Sequence, residues 1–233
     1  MSSEFYINIK SIPDKSSIEY DDFFKNELKK IEYGVTINGV YIPGWLYWHV
    51  NHWHLYKDYQ DPINHSIKRI NSVPDLRDNE WMIAEYLTEA ERLMKGLLVV
   101  GSRRLGKSEL EGSFIGRNST IYQGTQNLIS GGNDSDIKVI AGIVDNGLKN
   151  LHPYFRFDRI ANDWRKEVVL GYKDKKNIGY EWSKILIRNF DDGNNTEAAA
   201  GTTLKTFIMD EIGKFSFFEC FEAAKPAFTS PFG

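Results

Sequence analysis

The sequence predicts an α/β fold with a mainly parallel sheet flanked by helices and a small lid-like segment at the N-terminus. Short apolar runs of strand length alternate with stretches of helical periodicity along most of the chain. A glycine-containing octet stands between one such run and a helix, and two carboxylates end another run. Alternation of this kind is typical of parallel sheets whose crossover connections are helices.

Composition limits the function classes. The 233 residues are enough for one substantial domain with an appendage, and 26% charged and 41% hydrophobic residues are typical of globular proteins. A net charge of −3 gives no broad attraction to nucleic acid, so any such contact needs a local patch or other chains. The single cysteine, Cys220, excludes an internal disulfide and favours a reducing compartment. No apolar run approaches membrane-span length, so we expect a soluble, intracellular chain without a membrane partner.

The N-terminal residues 1–74 are expected to form an arm and an aromatic-rich, lid-like segment, and residues 75–233 the core. The stretch "DDFFKNELKKIE" predicts a short helix. After it, six aromatic or histidine side chains recur with helical spacing and predict one packed face: Trp45, Trp48, His49, His52, Trp53 and Tyr56. We expect this face to pack against the core. The histidines could suggest zinc, but no cysteine or suitable carboxylate accompanies them, which favours packing.

The core is expected to alternate between helices and strands. A helix should start at Asp75 or Asp78 and end near Gly96, with an apolar face made of Met82, Ile83, Tyr86, Leu87 and Leu93. Further helices are predicted at 107–117, at 135–151 and, as a closing helix, before Pro226. Strands are predicted at 97–100, 119–124, 167–172, 184–190 and 205–211, with a basic hairpin tip between the third and fourth of them.

The octet from Gly101 to Ser108 has the spacing G-x-x-x-x-G-K-S. Glycines at both ends let the backbone N–H groups face phosphates, and the helix that follows points its positive end at them. Lys107 would reach the β- and γ-phosphates, and the Ser108 hydroxyl would coordinate Mg²⁺. The alternative is a chance match in an ordinary strand–turn–helix, but the flanking elements favour a loop that binds ATP with Mg²⁺. Its expected binding residues are Gly101, Ser102, Arg103, Arg104, Leu105, Gly106, Lys107 and Ser108.

Two carboxylates follow the apolar run "TFIM". Asp210 would complete the Mg²⁺ shell and Glu211 would polarise the attacking water. An acidic pair that only caps a strand is the alternative, and the phosphate loop favours the catalytic interpretation. The roughly 100 residues between Lys107 and Asp210 leave room for a further strand, which predicts a P-loop NTPase of the additional-strand type.

Two arginines lie inside the octet. Arg103 or Arg104 could stabilise charge on the γ-phosphate in the transition state, as an arginine finger does. Alternatively they pair with acids such as Glu109 or face solvent. Four weaker candidates could serve a neighbouring subunit: Arg156, Arg159, Arg165 and Arg188.

The motifs "GSRRLGKS" and "FIMDE" resemble the ATPase domain of large terminase subunits, the motors that pump double-stranded DNA into proheads of tailed phages. The family's loop, S-R-x-L-G-K-[ST], is matched by Ser102, Arg103, Leu105, Gly106, Lys107 and Ser108. The resemblance spans roughly residues 35–233 and is strongest in the two nucleotide motifs. It implies that Arg103 senses the γ-phosphate, that Asp210 and Glu211 are the functional acidic pair, and that Gly201 is the glycine upstream of that strand.

The resemblance also implies partners: double-stranded DNA, a portal protein, a small terminase subunit and further copies of the chain in a ring, a pentamer by analogy. The site of action would be the prohead portal vertex in the host cytoplasm. Where relatives carry an adenine-binding glutamine motif, this chain has "RDNEW". Asn79, Glu80 or Trp81 could therefore contact the adenine base. The nuclease domain and the coupling motif of the family are absent from this chain, so no nuclease activity is expected.

Other interpretations remain open at this stage. The chain could be a helicase-like or recombination ATPase, or a module that binds nucleotide and hydrolyses little of it. Lys173, Lys175 and Lys176 at the hairpin tip could touch DNA phosphates, although a solvated turn is favoured because three lysines add little affinity at physiological salt.

Overall fold

A computed structural model describes residue 6 and residues 12–93, 95–101, 105–189, 203–212 and 217–225. Within these ranges the N-terminal elements, in chain order, are α1 (Glu19–Tyr33), β1 (Val35–Ile37), β2 (Val40–Ile42), α2 (Gly44–Asn51), β3 (Leu55–Gln60), β4 (Ile67–Ser72) and α3 (Asp78–Arg92). The elements that follow are α4 (Lys107–Ile121), β5 (Thr125–Gly131), α5 (Asp134–Asn150), a 3₁₀ turn (Pro153–Phe155), β6 (Asp158–Asp163), β7 (Glu167–Lys173), β8 (Gly179–Asn189), β9 (Thr206–Asp210) and α6 (Phe217–Ala224).

The main sheet has five strands in the order β6-β7-β8-β5-β9. Strands β8, β5 and β9 are parallel, whereas β7 is antiparallel to both of its neighbours, so four of the five strands point the same way. Gly131 at the end of β5 lies in register with Asn189 of β8 and Asp210 of β9. The α/β class with a mainly parallel sheet flanked by helices is therefore confirmed, and three carboxyl ends meet at one edge.

The central strands are buried on both faces. Ile129 of β5 and Ile185 of β8 pack into the large core that includes α4 and α5. Leu128 and Leu186, their neighbours in sequence, point to the opposite face and pack with Leu204. Burial on two faces explains why these strands are continuous apolar runs instead of alternating ones.

The aromatic segment packs against the core, as predicted. Seven of the eight residues of α2 are buried, so this helix is surrounded on all sides. Trp53, just beyond it, is fully buried between α4 and α5, where its ring lies against Gly116 and Gly147. One continuous cluster thus joins this segment to the sheet, and the boundary at residue 74 remains a prediction.

The single helical face extending to Tyr56 is wrong. Helix α2 ends at Asn51, and Tyr56 lies in β3, where it pairs with Asn71 of β4 and is 51% exposed. Backbone pairing in the β3–β4 hairpin overrides the helical periodicity of the sequence.

The predicted buried strand at 97–100 is also wrong. No strand is assigned there, and the four side chains are between 37% and 86% exposed. Four apolar residues in a row satisfy the composition of a strand, but a strand also needs a hydrogen-bonding neighbour, and none of the described strands pairs with this run.

Two further boundaries differ from prediction. Residues 119–121 form the last turn of α4, and the strand starts at Thr125 instead of 119. In α3 the predicted apolar face is only partly buried: Ile83 and Leu87 pack against the core, Met82, Tyr86 and Leu93 are exposed, and the fully buried apolar residues are Ala84 and Ala90. Small alanines allow close packing that a search for large apolar side chains overlooks.

Several of the other elements follow the predictions. Helices α1, α5 and α6 and strands β7 and β9 lie at the expected places, whereas β8 begins at Gly179, five residues before its predicted start, and strands β1–β4 and β6 were not predicted. Helix α5 is capped by Asn133, whose side chain accepts hydrogen bonds from the backbone of Ser135 and Asp136, so the predicted Ser/Asp cap is displaced by two residues. Among the described residues, no helix is both long and apolar enough to cross a membrane.

Candidate nucleotide-binding site

The predicted phosphate loop leads directly into helix α4. Gly106 is the N-cap of this helix and adopts a left-handed conformation with φ of 78°, which favours glycine. At the other end of the loop, a Cβ on Gly101 would lie 2.3 Å from Leu105 Cδ1. The backbone conformation therefore favours glycine at 106, whereas a side chain at 101 would require only that the end of the Leu105 side chain shift. Three loop residues, Ser102, Arg103 and Arg104, lie outside the described residues, as does Gly201.

Lys107 bends back over the loop that precedes it. Its Nζ donates a hydrogen bond to the Gly101 carbonyl oxygen at 2.9 Å, so the side chain spans the octet from end to end. A second bond comes from helix α3, where Asn79 Nδ2 donates to the Leu105 carbonyl oxygen at 2.8 Å. The loop is thus held by its own lysine and by α3, although the run before it is not a strand of the sheet.

The acidic pair lies where β9 ends. Asp210 is half-buried, and burial raises the pKa of its carboxyl, with further upward contributions from the charges of Glu211 and Asp136. The Glu211 backbone N–H donates to Asp210 Oδ1 at 2.9 Å. Glu211 is exposed and has a φ of 53°, a left-handed conformation that costs a residue other than glycine about 1 kcal/mol. Backbone strain of this kind often accompanies function.

A third carboxylate, Glu111, faces the same region. It follows Lys107 by four residues and therefore lies one turn along the same face of α4. Its Oε2 atom is completely buried and has no hydrogen-bond partner among the described residues. Burial, together with the charges of Asp210 and Glu211, raises the pKa of Glu111 to about 8, and the Lys107 charge opposes the shift. Glu111 was not among the residues predicted from the sequence, although its spacing of four from Lys107 places both on one helix face.

The structure brings Lys107, Asp210, Glu211 and Glu111 within electrostatic reach of one another. The N-terminus of α4 thus adjoins the carboxyl end of β9, where open α/β sheets place their ligands. Within the described ranges, no three His, Cys, Asp or Glu side chains are grouped closely enough to hold a metal ion by themselves. A hydroxyl, one carboxylate and phosphate oxygens from a ligand form a donor set that suits Mg²⁺, which binds few protein groups.

With this geometry described, the chain can be compared with known proteins. No family model and no curated protein matches it. This chain is similar to the ATPase domain of a phage large terminase. The solved structure of that domain from Thermus phage P74-26 matches with a TM-score of 0.46 and 20% identity, covering 60% of this chain and 63% of that one. A point mutant of the same domain matches with a TM-score of 0.46 and 19% identity over the same shares. The matched region is thus less than two thirds of either chain.

The residues suggested for adenine recognition are already engaged. Asn79 holds the loop, as described above. Glu80 accepts a hydrogen bond from the Arg77 backbone N–H at 2.9 Å, at the start of α3. The Trp81 indole N–H donates to Glu85 at 2.8 Å. Their contact with a base stays a prediction.

Three of the four arginines suggested for a neighbouring subunit have partners of their own, and the fourth, Arg156, is exposed. Arg159 pairs with Asp145 and contacts the Trp164 ring, Arg165 pairs with Asp163, and Arg188 donates to the Lys166 carbonyl oxygen. The lysines of the β7–β8 tip, Lys173, Lys175 and Lys176, are exposed. These positions do not test whether the arginines act on a neighbouring subunit or whether the lysines contact DNA.

The histidines of the aromatic segment pack instead of forming a cluster. His52 stacks on Trp48 and its Nε2 lies 3.2 Å from Glu27 Oε2. Both ring nitrogens of His49 are buried without a hydrogen-bond partner among the described residues. The packing interpretation of this segment is confirmed by the burial of these rings.

Proposed function

We propose that this chain is a P-loop ATPase domain of the phage large terminase type, of additional-strand topology, which couples ATP hydrolysis to movement of double-stranded DNA into a prohead. The observation that supports it most directly is the convergence of Lys107 with Asp210 and Glu211. These residues are separated by some 100 positions in the sequence and lie within electrostatic reach in the structure.

Each loop residue has a proposed role in holding the nucleotide. The octet backbone from Gly101 to Ser108 wraps the phosphates, and the positive end of α4 faces them. The Lys107 ammonium, which bonds the Gly101 carbonyl in the free protein, transfers its hydrogen bonds to the β- and γ-phosphates. Arg103 adds positive charge at the γ-phosphate, as the family's loop pattern implies.

The residues present fit a bound Mg²⁺ ion. Ser108 and Asp210 would hold it, and the excess of carboxylates over lysine in this region calls for a cation. When bound, Mg²⁺ neutralises charge that develops on the phosphate oxygens.

Glu211 is the proposed general base. Its backbone is left-handed, and its side chain is exposed directly after Asp210 in the chain. An exposed carboxylate at this position can orient a water molecule toward the γ-phosphate and accept its proton.

The partners proposed from the motif resemblance are double-stranded DNA, a portal protein, a small terminase subunit and further copies of the chain in a ring at the prohead portal vertex. A neighbouring subunit completes the site in that arrangement. The exposed β7–β8 tip is one surface that could reach DNA phosphates.

The test is ATP hydrolysis by the wild type, Lys107→Ala and Glu211→Gln. We expect Lys107→Ala to lose both binding and turnover, because the phosphates lose their main cation. Glu211→Gln should still bind ATP while its hydrolysis falls by at least a hundredfold, the usual contribution of a general base. Equal turnover in all three proteins would eliminate the catalytic assignment, and binding without turnover in the wild type would favour a nucleotide-dependent binding module.

A further inference from the structure

Glu111 is a buried carboxylate that the proposed ATPase roles do not use. It lies on the second turn of α4, on the face that carries Lys107, and it is within electrostatic reach of Asp210 and Glu211. A glutamate inside a protein is ordinarily paired, because an isolated charge there is costly. This one has a completely buried Oε2 without a hydrogen-bond partner in the part of the chain that the structure describes.

The surroundings of Glu111 do not explain why the residue is a glutamate. Among the described residues, three charged groups act on it: Asp210 and Glu211 are acidic and repel its ionised form, and Lys107 is already bonded to the Gly101 carbonyl. A leucine or glutamine at position 111 would avoid, in the nucleotide-free protein, the free-energy cost of burying a charge without a partner. The carboxylate therefore suits a state in which positive charge enters the site.

We propose that Glu111 is a positioning residue of the nucleotide site, whose buried Oε2 accepts a hydrogen bond from water in the shell of a bound divalent cation. The assignment rests on the proposed function, because it assumes that a cation enters with the nucleotide. It differs from the roles of Ser108 and Asp210 because Glu111 acts through water and does not bind the metal directly. Carboxylates of this kind fix the ligands around a metal, and their loss typically lowers metal affinity by 10- to 100-fold.

The experiment measures binding of a fluorescent ATP analogue as a function of Mg²⁺ concentration, together with thermal unfolding of the nucleotide-free protein. Glu111→Gln keeps the shape and removes the charge, and Glu111→Asp keeps the charge on a shorter side chain. Glu109→Gln is the matched control, since it makes the same change in the same helix on a side chain that lies toward Gly106 and Glu80.

We expect Glu111→Gln to require at least tenfold more Mg²⁺ for half-maximal nucleotide binding, while its nucleotide-free unfolding temperature equals or exceeds that of the wild type. Glu111→Asp should fall between the two, and Glu109→Gln should match the wild type in Mg²⁺ requirement. A purely structural glutamate predicts the opposite pattern, in which unfolding temperature falls and the Mg²⁺ requirement is unchanged.

A Mg²⁺ requirement of Glu111→Gln within twofold of the wild type would overturn the assignment of Glu111 and leave the proposed ATPase site intact. Failure of the wild type itself to bind the nucleotide in a Mg²⁺-dependent way would overturn the proposed function and this assignment with it.

Discussion

The packing of Trp53 between α4 and α5 makes Gly147 a position where a single methyl group should be costly. A Cβ at Gly147 would lie 2.1 Å from Trp53 Cζ2 and 2.3 Å from Cη2, much closer than carbon atoms can approach. The indole is fully buried, so it has no free space to move into. Gly147→Ala should therefore force the helix and the ring apart.

The magnitude follows from two opposing terms. Alanine in place of glycine inside a helix stabilises it by about 1 kcal/mol. Overpacking of a well-packed core costs about 1–3 kcal/mol, and a contact this short belongs at the upper end. Gly147→Ala should thus lose about 2 kcal/mol of unfolding free energy relative to the wild type.

Gly142 provides a matched control in the same helix. It is exposed, and a Cβ there would meet no atom within 4 Å, so Gly142→Ala should gain about 1 kcal/mol. The two variants should differ by about 3 kcal/mol, which separates their urea midpoints by about 1 M or more when followed by circular dichroism. Adding Trp53→Phe should recover part of the Gly147→Ala loss, because the smaller ring gives room. The packing argument fails if Gly147→Ala is as stable as Gly142→Ala.

Three further predictions concern other buried or loop contacts. Arg117 donates from Nε and Nη2 to the Ile31 carbonyl oxygen at 3.0 and 2.8 Å. Arg117→Met should therefore lower the free energy of unfolding, measured in urea, by about 1–3 kcal/mol. A loss below about 0.5 kcal/mol, the range of ordinary surface substitutions, would contradict this role. Burial, with a smaller contribution from the Arg77 charge, lowers the pKa of His49 to about 3, so the unfolded chain binds a proton below about pH 6.5 that the folded protein does not. His49 should therefore lower the free energy of unfolding by about 2 kcal/mol between about pH 7.5 and pH 5, and His49→Phe should remove this contribution from the pH dependence of stability. Identical pH profiles of stability in the two proteins would refute the role given to His49. Asn79→Ala removes the hydrogen bond to the Leu105 carbonyl oxygen. It should weaken ATP binding about five- to tenfold, measured by titration calorimetry, while the free energy of unfolding changes little. Unaltered affinity would show that α3 does not support the loop.

The local signals that the sequence carries most clearly were recovered in the structure. Helix α4 begins at Lys107, directly after the octet, and β9 ends at Asp210, as their composition indicates. Both depend on neighbouring residues alone: glycine at the left-handed position and an apolar run that stops at a charge. The lysine and the acidic pair could therefore be assigned to one site before their distance was known.

The exposed run at 97–100 could not be foreseen in this way. Its four apolar side chains have the composition of a buried strand, and only the pairing of the whole sheet shows that β9 and β5 lie together without it. Pairing depends on contacts distant in sequence, which a local pattern does not contain. The same holds for the end of α2, where the β3–β4 hairpin decides that Tyr56 is exposed.

Glu111 illustrates a different limit. Its spacing from Lys107 was visible in the sequence, but a glutamate on a helix is ordinarily solvated. Only the placement of β9 beside α4 shows that its Oε2 is buried near Asp210. Burial and charge environment are tertiary properties, so this candidate required the structure.

The central claim, that the loop and the acidic pair form one Mg²⁺–nucleotide site, is tested most directly by the affinity of the protein for ATP with and without Mg²⁺. The comparison uses the wild type, Lys107→Ala and Lys68→Ala, an exposed lysine of β4 that serves as the control. The account predicts Mg²⁺-dependent binding by the wild type and Lys68→Ala and at least a tenfold loss in Lys107→Ala. Equal affinity of Lys107→Ala and the wild type would contradict it.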